Sequence, residues 1–177
     1  MPNARELLEQ YVANGKLMQL ATLRTDGSPA ICNVWYDVHF APDLLRFISR
    51  YDRNHSADIR SDERVAGSIV AIELEALGQV VRGVTFLGTA REMATVDVEF
   101  AISAFIERWP ASAEAIDPGK LANGETPTRL YEVVIDEWIL FDESNFPSQP
   151  RRKIKAVAGR DDPATASRSQ AARPGQR

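Results

Sequence analysis

The first fifteen residues alternate apolar and polar positions with a helical period. Asn3 precedes Glu6 by three residues, which is the spacing of a capping box, so we expect the helix to begin there. Gly15 is well placed to end it. The apolar positions that would face a core are Leu7, Leu8, Tyr11 and Val12. An amphipathic helix is therefore predicted at the amino-terminal end of the sequence.

From residue 17 onward the pattern changes to short runs that are rich in β-branched and aromatic residues. The dipeptide Asp26-Gly27 is a hairpin signal between the first two runs, and the segment 41–43 turns the chain again. Strands are predicted over 17–24, 29–40, 44–50, 65–73, 80–94 and 130–141.

Two more helices are predicted between these strands. Residues 56–62 suit a short helix, and a longer one begins near Thr95 as its cap and ends at Trp109, because Pro110 follows. Residues 111–128 contain several glycines and prolines and are predicted to form a loop.

This order of elements predicts a mainly β protein of the α+β class. Strands joined by short turns favour an antiparallel barrel with peripheral helices. A doubly wound parallel sheet would need a helix in nearly every connection, and the hairpin signal at Asp26-Gly27 opposes it.

Charge divides the chain of 177 residues into two parts. Residues 151–177 carry 8 basic and 2 acidic residues, so the first 150 carry 13 basic and 23 acidic ones. An acidic body argues against a nucleic-acid-binding surface. We expect one domain over residues 1–155 and a disordered basic tail over 156–177, with contact to a polyanion as the alternative role of that tail.

Few residues offer metal or thiol chemistry. Cys32 is the single cysteine, which excludes an intrachain disulfide, and the two histidines, His39 and His55, lack the spacing of a metal site. No apolar run approaches the roughly 18 residues of a membrane span, and no signal peptide is evident. We therefore expect a cytoplasmic protein that does not bind membranes.

The segment FISRYDRNHSADIR, residues 47–60, concentrates hydrogen-bond donors between a strand and a helix. The free amides and the positive end of the helix dipole would add to these donors, which predicts an anion site. The alternative is that Ser56 only caps the helix and the arginines are solvated. The donors concerned are Ser49, Arg50, Arg53, Asn54, His55 and Ser56.

Three runs of sequence together resemble the split-barrel flavoproteins of the pyridoxamine 5'-phosphate oxidase-like superfamily. They are LATLRTDGSPAICNVWY, LLRFISRYDRNHSADIRSDERVAGSI and VRGVTFLGTARE. The resemblance implies a homodimer of six-stranded antiparallel split β-barrels that binds FMN at the subunit interface. It places the FMN phosphate at the end of the third strand and the start of the next helix. The residues implied there are Ile48, Ser49, Arg53, Asn54, His55 and Ser56.

The resemblance also implies contacts to the flavin ring. The ring would lie along the second strand, with Asn33 at its edge, although Asn33 equally suits an outward position on a barrel strand. Arg82 would reach the flavin of the partner subunit, or else is a surface charge. The run 151–153 would close over an anionic ligand, or else begins the tail. The strand residues implied are Ala30, Ile31, Cys32 and Asn33.

The function implied is that of an FMN-binding oxidoreductase acting on an unknown small molecule, with the cofactor carrying the chemistry. Alternatives are a haem- or deazaflavin-binding member, and a non-catalytic ligand-binding or stress-related barrel. Pyridoxamine 5'-phosphate oxidase itself is disfavoured, because the arginine-rich motif of that enzyme is not reproduced in residues 131–155. Core or dimer contacts are expected of Trp35, Trp109 and Trp138.

Overall fold

The computed structural model describes residues 2–73, 75–114 and 116–159. Four α-helices, a 3₁₀ turn and eight strands follow one another along these residues. The helices are α1 (Ala4–Asn14), α2 (Asn54–Ser61), α3 (Thr95–Arg108) and α4 (Pro118–Ala122), and the 3₁₀ turn is Pro110–Glu114. The strands are β1 (Leu17–Leu23), β2 (Pro29–Trp35), β3 (Asp37–His39), β4 (Leu44–Arg50), β5 (Arg64–Val70), β6 (Arg82–Glu92), β7 (Thr128–Asp142) and β8 (Arg151–Lys155).

The architecture is mainly β, as the sequence predicts. All strands join one antiparallel sheet in the order β2-β1-β5-β6-β7-β4-β3, with β8 added beside β7. The sheet curls, because β2 and β4 come into contact although no hydrogen-bonded ladder joins them. This split between β2 and β4 is the feature that positions the site described below.

The predicted number of six strands is wrong, because the described residues form eight. The predicted strand 29–40 is broken at Tyr36, whose buried ring turns inward and leaves β3 as a separate short strand. The interpretation of the run 151–153 as the beginning of a loose tail is wrong, because these residues belong to β8. Its charges are compatible with an edge strand, where alternate side chains remain in solvent.

Two hydrophobic clusters hold the fold together. The larger one fills the curled sheet and packs α1 against it, with Trp138, Tyr131 and Phe47 among its largest buried side chains. The smaller one lies between α3, α4 and β7, and includes Phe105 and Leu130. The second cluster fixes the carboxyl end of α3 beside β2 and β4.

The helix boundaries agree with the sequence-based predictions only in part. The predicted cap of α1 is confirmed, because the Asn3 side chain accepts a hydrogen bond of 2.9 Å from the Arg5 amide. The predicted cap at Thr95 is wrong, because α3 already includes Thr95 and Ala94 is its cap. The predicted loop 111–128 is wrong in part, because it contains most of the 3₁₀ turn and all of α4.

Asp43 joins four parts of the chain in the turn before β4. Its carboxylate accepts two hydrogen bonds from the Arg5 guanidinium, at 2.7 and 2.6 Å. It also accepts one from Trp138 Nε1 at 2.7 Å and one from the Val157 amide at 3.1 Å. Burial alone would raise the pKa of Asp43, but the hydrogen bonds from Arg5 and Trp138 hold it below its ordinary value.

Val157 lies in the segment predicted to be a disordered tail, of which the structure describes residues 156–159. The Val157 carbonyl also accepts a hydrogen bond of 2.8 Å from the Asp43 amide, so the ordered contacts extend at least two residues beyond Lys155. The predicted disorder of residues 160–177 lies outside the described residues. Within the described part of the chain, no helix is both long and apolar enough to cross a membrane.

Candidate functional site

A cavity of about 520 Å³ opens between β2, β4, the start of α2 and the end of α3. It lies at the split of the sheet, where β2 and β4 approach without pairing. Its apolar walls are Val34, Trp35, Ile48, Phe105, Trp109 and Ala111. Its polar groups are Asn33, Ser49, His55 and Ser112. A mostly apolar cavity with a few convergent polar groups is typical of cofactor and small-molecule sites.

The side chains of β2 alternate between two faces of the sheet, as predicted, and Asn33, Val34 and Trp35 at its end line the cavity. Ile31, Asn33 and Trp35 are exposed on one face, whereas Cys32 and Val34 are more buried on the other. Asn33 therefore points to the face on which a ring could lie. Ala30, Ile31 and Cys32 are not part of the cavity wall, so only the second half of β2 contributes to it.

Trp35 and Trp109 form the aromatic wall of this cavity. Their rings meet edge to face, with centroids 4.7 Å apart and an interplanar angle of 76°. Trp109 Nε1 donates a hydrogen bond of 2.8 Å to the Tyr36 carbonyl, which fixes the indole at the end of α3. The Arg108 guanidinium lies 5.0 Å from the Tyr36 ring centroid and 5.2 Å from that of Trp109, and donates to the Gly15 carbonyl at 2.7 Å.

Sequence reasoning did not assign these two tryptophans to the site. The signals available were the outward position of Trp35 beside Asn33 on β2 and the place of Trp109 at the end of the apolar stripe of α3. Neither signal reveals that the Trp35 and Trp109 rings meet, because their contact depends on how α3 packs across the split between β2 and β4.

Ser49 and His55 meet at the polar end of the cavity. The Ser49 Oγ lies 2.7 Å from His55 Nε2, so a residue at the end of β4 is hydrogen-bonded to the second residue of α2. Both side chains are partly buried. The sequence predicts both residues in one site, and the structure brings them together.

The start of α2 leaves donors available next to this pair. The helix begins at Asn54 with Arg53 as its cap, and no side chain caps it. The amides of the first turn of a helix have no partner within the helix, and the helix dipole makes this end positive. Arg53 and Asn54 are exposed beside it, and Arg53 forms no ion pair with the residues that the structure describes.

Two residues of the predicted anion site have other roles. Ser56 is not the cap of α2, because it is the third residue of the helix; it is fully buried, and its Oγ donates to the Arg50 carbonyl at 2.8 Å. Arg50 is paired with Asp52 at 2.8 Å in solvent. Ser56 therefore holds the connection between β4 and α2, and the donors that remain near the cavity come from Arg53, Asn54 and His55.

The environment of His55 favours a neutral imidazole. Burial lowers the pKa of His55 most, and the positive charge of Arg53 lowers it further, while the carboxylate of Asp58 raises it by less. The net result is a pKa below the ordinary histidine value of 6.5. At neutral pH this side chain is therefore a hydrogen-bonding group and a base, not a cation.

Because the folded protein disfavours protonation of His55, this residue should become protonated only at a lower pH than an ordinary histidine. We expect its ring protons, followed by NMR, to give a midpoint below about 6.5. The folded state binds fewer protons than the unfolded chain between the two pKa values, so stability should rise with pH across that window. A midpoint at or above 6.5 would contradict this environment, and the His55→Gln variant assigns the signal.

The remaining predicted contacts lie away from the cavity within this chain. Arg82 faces Asp142 across the β6–β7 ladder and lies near Tyr11, so it does not line the cavity. Arg152 packs its guanidinium 4.5 Å from the Phe146 ring centroid, and Lys153 pairs with Glu137 at 3.0 Å. The run 151–153 is thus engaged in the sheet.

Cys32 does not act as a nucleophile at neutral pH in this environment. Burial and the nearby charge of Asp58 raise the pKa of its thiol to about 11, so the thiol stays protonated. No cluster of three or more metal-binding side chains is present among the residues described here.

Comparison with known proteins is consistent with this fold. The family model described as pyridoxamine 5'-phosphate oxidase matches residues 4–142. No protein with a curated description matches the sequence. A heme-binding protein from Mycobacterium smegmatis has a TM-score of 0.70 at 19% identity over 88% of this chain; the match spans only 59% of that protein.

Two other solved structures are similar over most of their own length. A FAD-binding protein from Mesorhizobium loti has a TM-score of 0.55 at 17% identity, with 77% of this chain and 92% of that chain covered. An F420 reductase has a TM-score of 0.54 at 18% identity, with 78% and 98% covered. At such identities the solved structures establish the fold alone, but the family model spans most of the sequence. The chain therefore belongs to the pyridoxamine 5'-phosphate oxidase family.

Proposed function

We propose that the protein binds FMN in the cavity at the split and acts as a flavin-dependent oxidoreductase on a small molecule. The observation that carries this proposal is the joining of an aromatic, apolar cavity to an uncapped helix start beside Ser49, Arg53 and His55. A flavin mononucleotide needs both parts, because it combines a flat aromatic ring with a phosphate.

The residues present fit such a ligand in their donor chemistry. The first-turn amides of α2, the Ser49 hydroxyl and the Arg53 guanidinium would hold the phosphate, while Trp35 and Trp109 would contact the ring. Asn33 would hydrogen-bond the ring edge. The bound flavin would supply hydride or electron transfer, and this chain would orient it and exclude water from one side.

A homodimer forms part of the proposal. Large apolar side chains are exposed on the outer face of the sheet, where Leu17 on β1 lies opposite Trp35 on β2, and Leu87 extends this face on β6. Such a face is typical of a protein interface. A second copy of the chain there would lie next to the mouth of the cavity.

Haem is the second candidate, because the environment of His55 keeps its imidazole neutral. A neutral imidazole in an apolar cavity is a common iron ligand, and a heme-binding protein has a similar fold. In the structure, however, His55 Nε2 is engaged by Ser49, so haem ligation through Nε2 would require this hydrogen bond to break. A deazaflavin would use the same ring contacts as FMN.

The phosphate requirement gives the proposal its test. Fluorescence titration of the purified, cofactor-free protein with FMN and with riboflavin should show FMN binding at least about tenfold more tightly, because hydrogen bonds to a charged group contribute about 1.5–3 kcal/mol. Equal affinities for FMN and riboflavin would show that the start of α2 does not bind the phosphate. No binding of either compound would refute the proposed function.

A further inference from the structure

We propose that Ser49 and His55 form a nucleophile–base pair that hydrolyses small uncharged aryl esters when no cofactor fills the cavity. This activity goes beyond the proposed flavin function, because it needs no redox cofactor and assigns covalent chemistry to Ser49. The observation behind it is the 2.7 Å contact between Ser49 Oγ and His55 Nε2 at the polar end of an aromatic cavity.

The pair has the geometry that activates a serine. A hydroxyl becomes a nucleophile when an adjacent base accepts its proton in the attack, and the contact distance lies within hydrogen-bond reach. The two residues lie on different elements, β4 and α2, and the buried Ser56 Oγ holds the connection between them through the Arg50 carbonyl. The pair is therefore positioned by the fold and not by a flexible loop.

The surroundings of His55 keep it available as a base. Burial, and then the charge of Arg53 at the cap of α2, disfavour its protonation, and Asp58 on the same helix opposes them weakly. From β4, Ser49 is the polar group in contact, and the Phe47 ring lies 6.4 Å away between centroids. With Nε2 unprotonated, the Ser49 hydroxyl can donate to it, so the resting state is ready for attack.

The start of α2 can stabilise the negative charge that develops. An ester carbonyl attacked by Ser49 becomes an oxyanion, and amide donors at a helix start are suited to bind it. No side chain occupies this role at the α2 cap. The same feature that would hold a phosphate can therefore hold an oxyanion.

The cavity selects the class of substrate. Trp35, Phe105 and Trp109 form its apolar walls, so an aryl leaving group fits better than a charged or strongly polar one. Among the residues described in the cavity wall, none carries a permanent charge. The preferred substrates are accordingly uncharged aryl esters with a short acyl group.

The reaction balances without an oxidant or a metal. Ser49 Oγ forms a bond to the ester carbonyl carbon as its proton moves to His55 Nε2. The intermediate expels the aryl oxide, which takes the proton from His55 and leaves as the phenol. Water then attacks the acylated serine, with His55 accepting its proton and returning it to Ser49 Oγ. The products are the carboxylic acid and the phenol.

Hydrolysis of 4-nitrophenyl acetate by the cofactor-free protein tests this proposal. Ser49→Ala and His55→Gln should each lower the rate by about 100-fold or more, as expected for removal of a nucleophile or a general base. Matched controls are Ser103→Ala, on the exposed face of α3, and His39→Gln, on β3, which should keep the wild-type rate. The rate should follow the free base of a group that titrates below 6.5.

A fluorophosphonate reaction of the wild-type protein provides a test that needs no variant. Peptide mass analysis should locate the adduct on Ser49, and added FMN should slow its formation. An adduct on another residue, no adduct at all, or full activity of Ser49→Ala would overturn the proposal.

The two functions fail independently. Flavin binding without a Ser49 adduct would refute only the hydrolase, whereas a Ser49 adduct without flavin binding would refute only the proposed function.

Discussion

Replacing Asp43 by alanine is expected to lower the free energy of unfolding by about 3–5 kcal/mol, the cost of removing one partner of a buried ion pair. The substitution leaves the Arg5 guanidinium and the Trp138 indole N–H without their acceptor, and it also frees the Val157 amide. Asp43 is 1% exposed, so water cannot readily replace these hydrogen bonds.

Urea denaturation at pH 7 and at pH 3 measures this effect. The control is Asp136→Ala, an exposed aspartate on β7, which should change stability by no more than about 0.5 kcal/mol. Because the pKa of Asp43 is lowered in the folded state, its contribution should be present above about 3.8 and decline as the pH falls below that value. A loss under about 1 kcal/mol at pH 7 would show that the network is not important for stability.

Replacing Arg53 by alanine is expected to weaken FMN binding by about 1.5–3 kcal/mol, or roughly 10- to 150-fold in affinity. Arg53 is exposed at the uncapped start of α2 and has no ion pair among the described residues, so it is available to a phosphate. The affinity for riboflavin, which has no phosphate, should change little.

The matched control for this substitution is Arg24→Ala. Arg24 is an exposed arginine in the β1–β2 hairpin, at the opposite end of β2 from the cavity. It tests whether a loss of positive charge anywhere on the protein has the same effect. An unchanged FMN affinity in Arg53→Ala, or an equal loss in Arg24→Ala, would contradict the assignment of the phosphate to α2.

Most strands of the sheet were predictable from the sequence, because the patterns that indicate a strand and its turns are local. The segment 44–50 was predicted as a strand with the bounds that β4 has, since turn residues precede it and a polar run follows it. The alternation along β2 likewise follows from the pleat. The strand β8 was missed, because a run of basic residues is compatible both with a solvated tail and with an edge strand.

The site was predictable only where its residues are close in sequence. Ser49 and His55 are six residues apart and belong to one polar run, so their association was foreseen, although the hydrogen bond between them was not. Trp109 belongs to the site because α3 packs across the split, which no local pattern specifies. The predicted role of Ser56 as a helix cap is wrong. The helix α2 begins at Asn54, two residues before the predicted start, and Ser56 therefore points inward.

The most direct test of the account is the absorption spectrum of the purified protein, before and after FMN is added, with any released cofactor identified by mass. The account predicts flavin bands that shift when FMN binds and that reappear in released FMN after denaturation. A Soret band or a deazaflavin mass would retain the cavity and replace the cofactor. A spectrum that FMN leaves unchanged, with no cofactor released, would contradict the claim that this cavity binds a flavin.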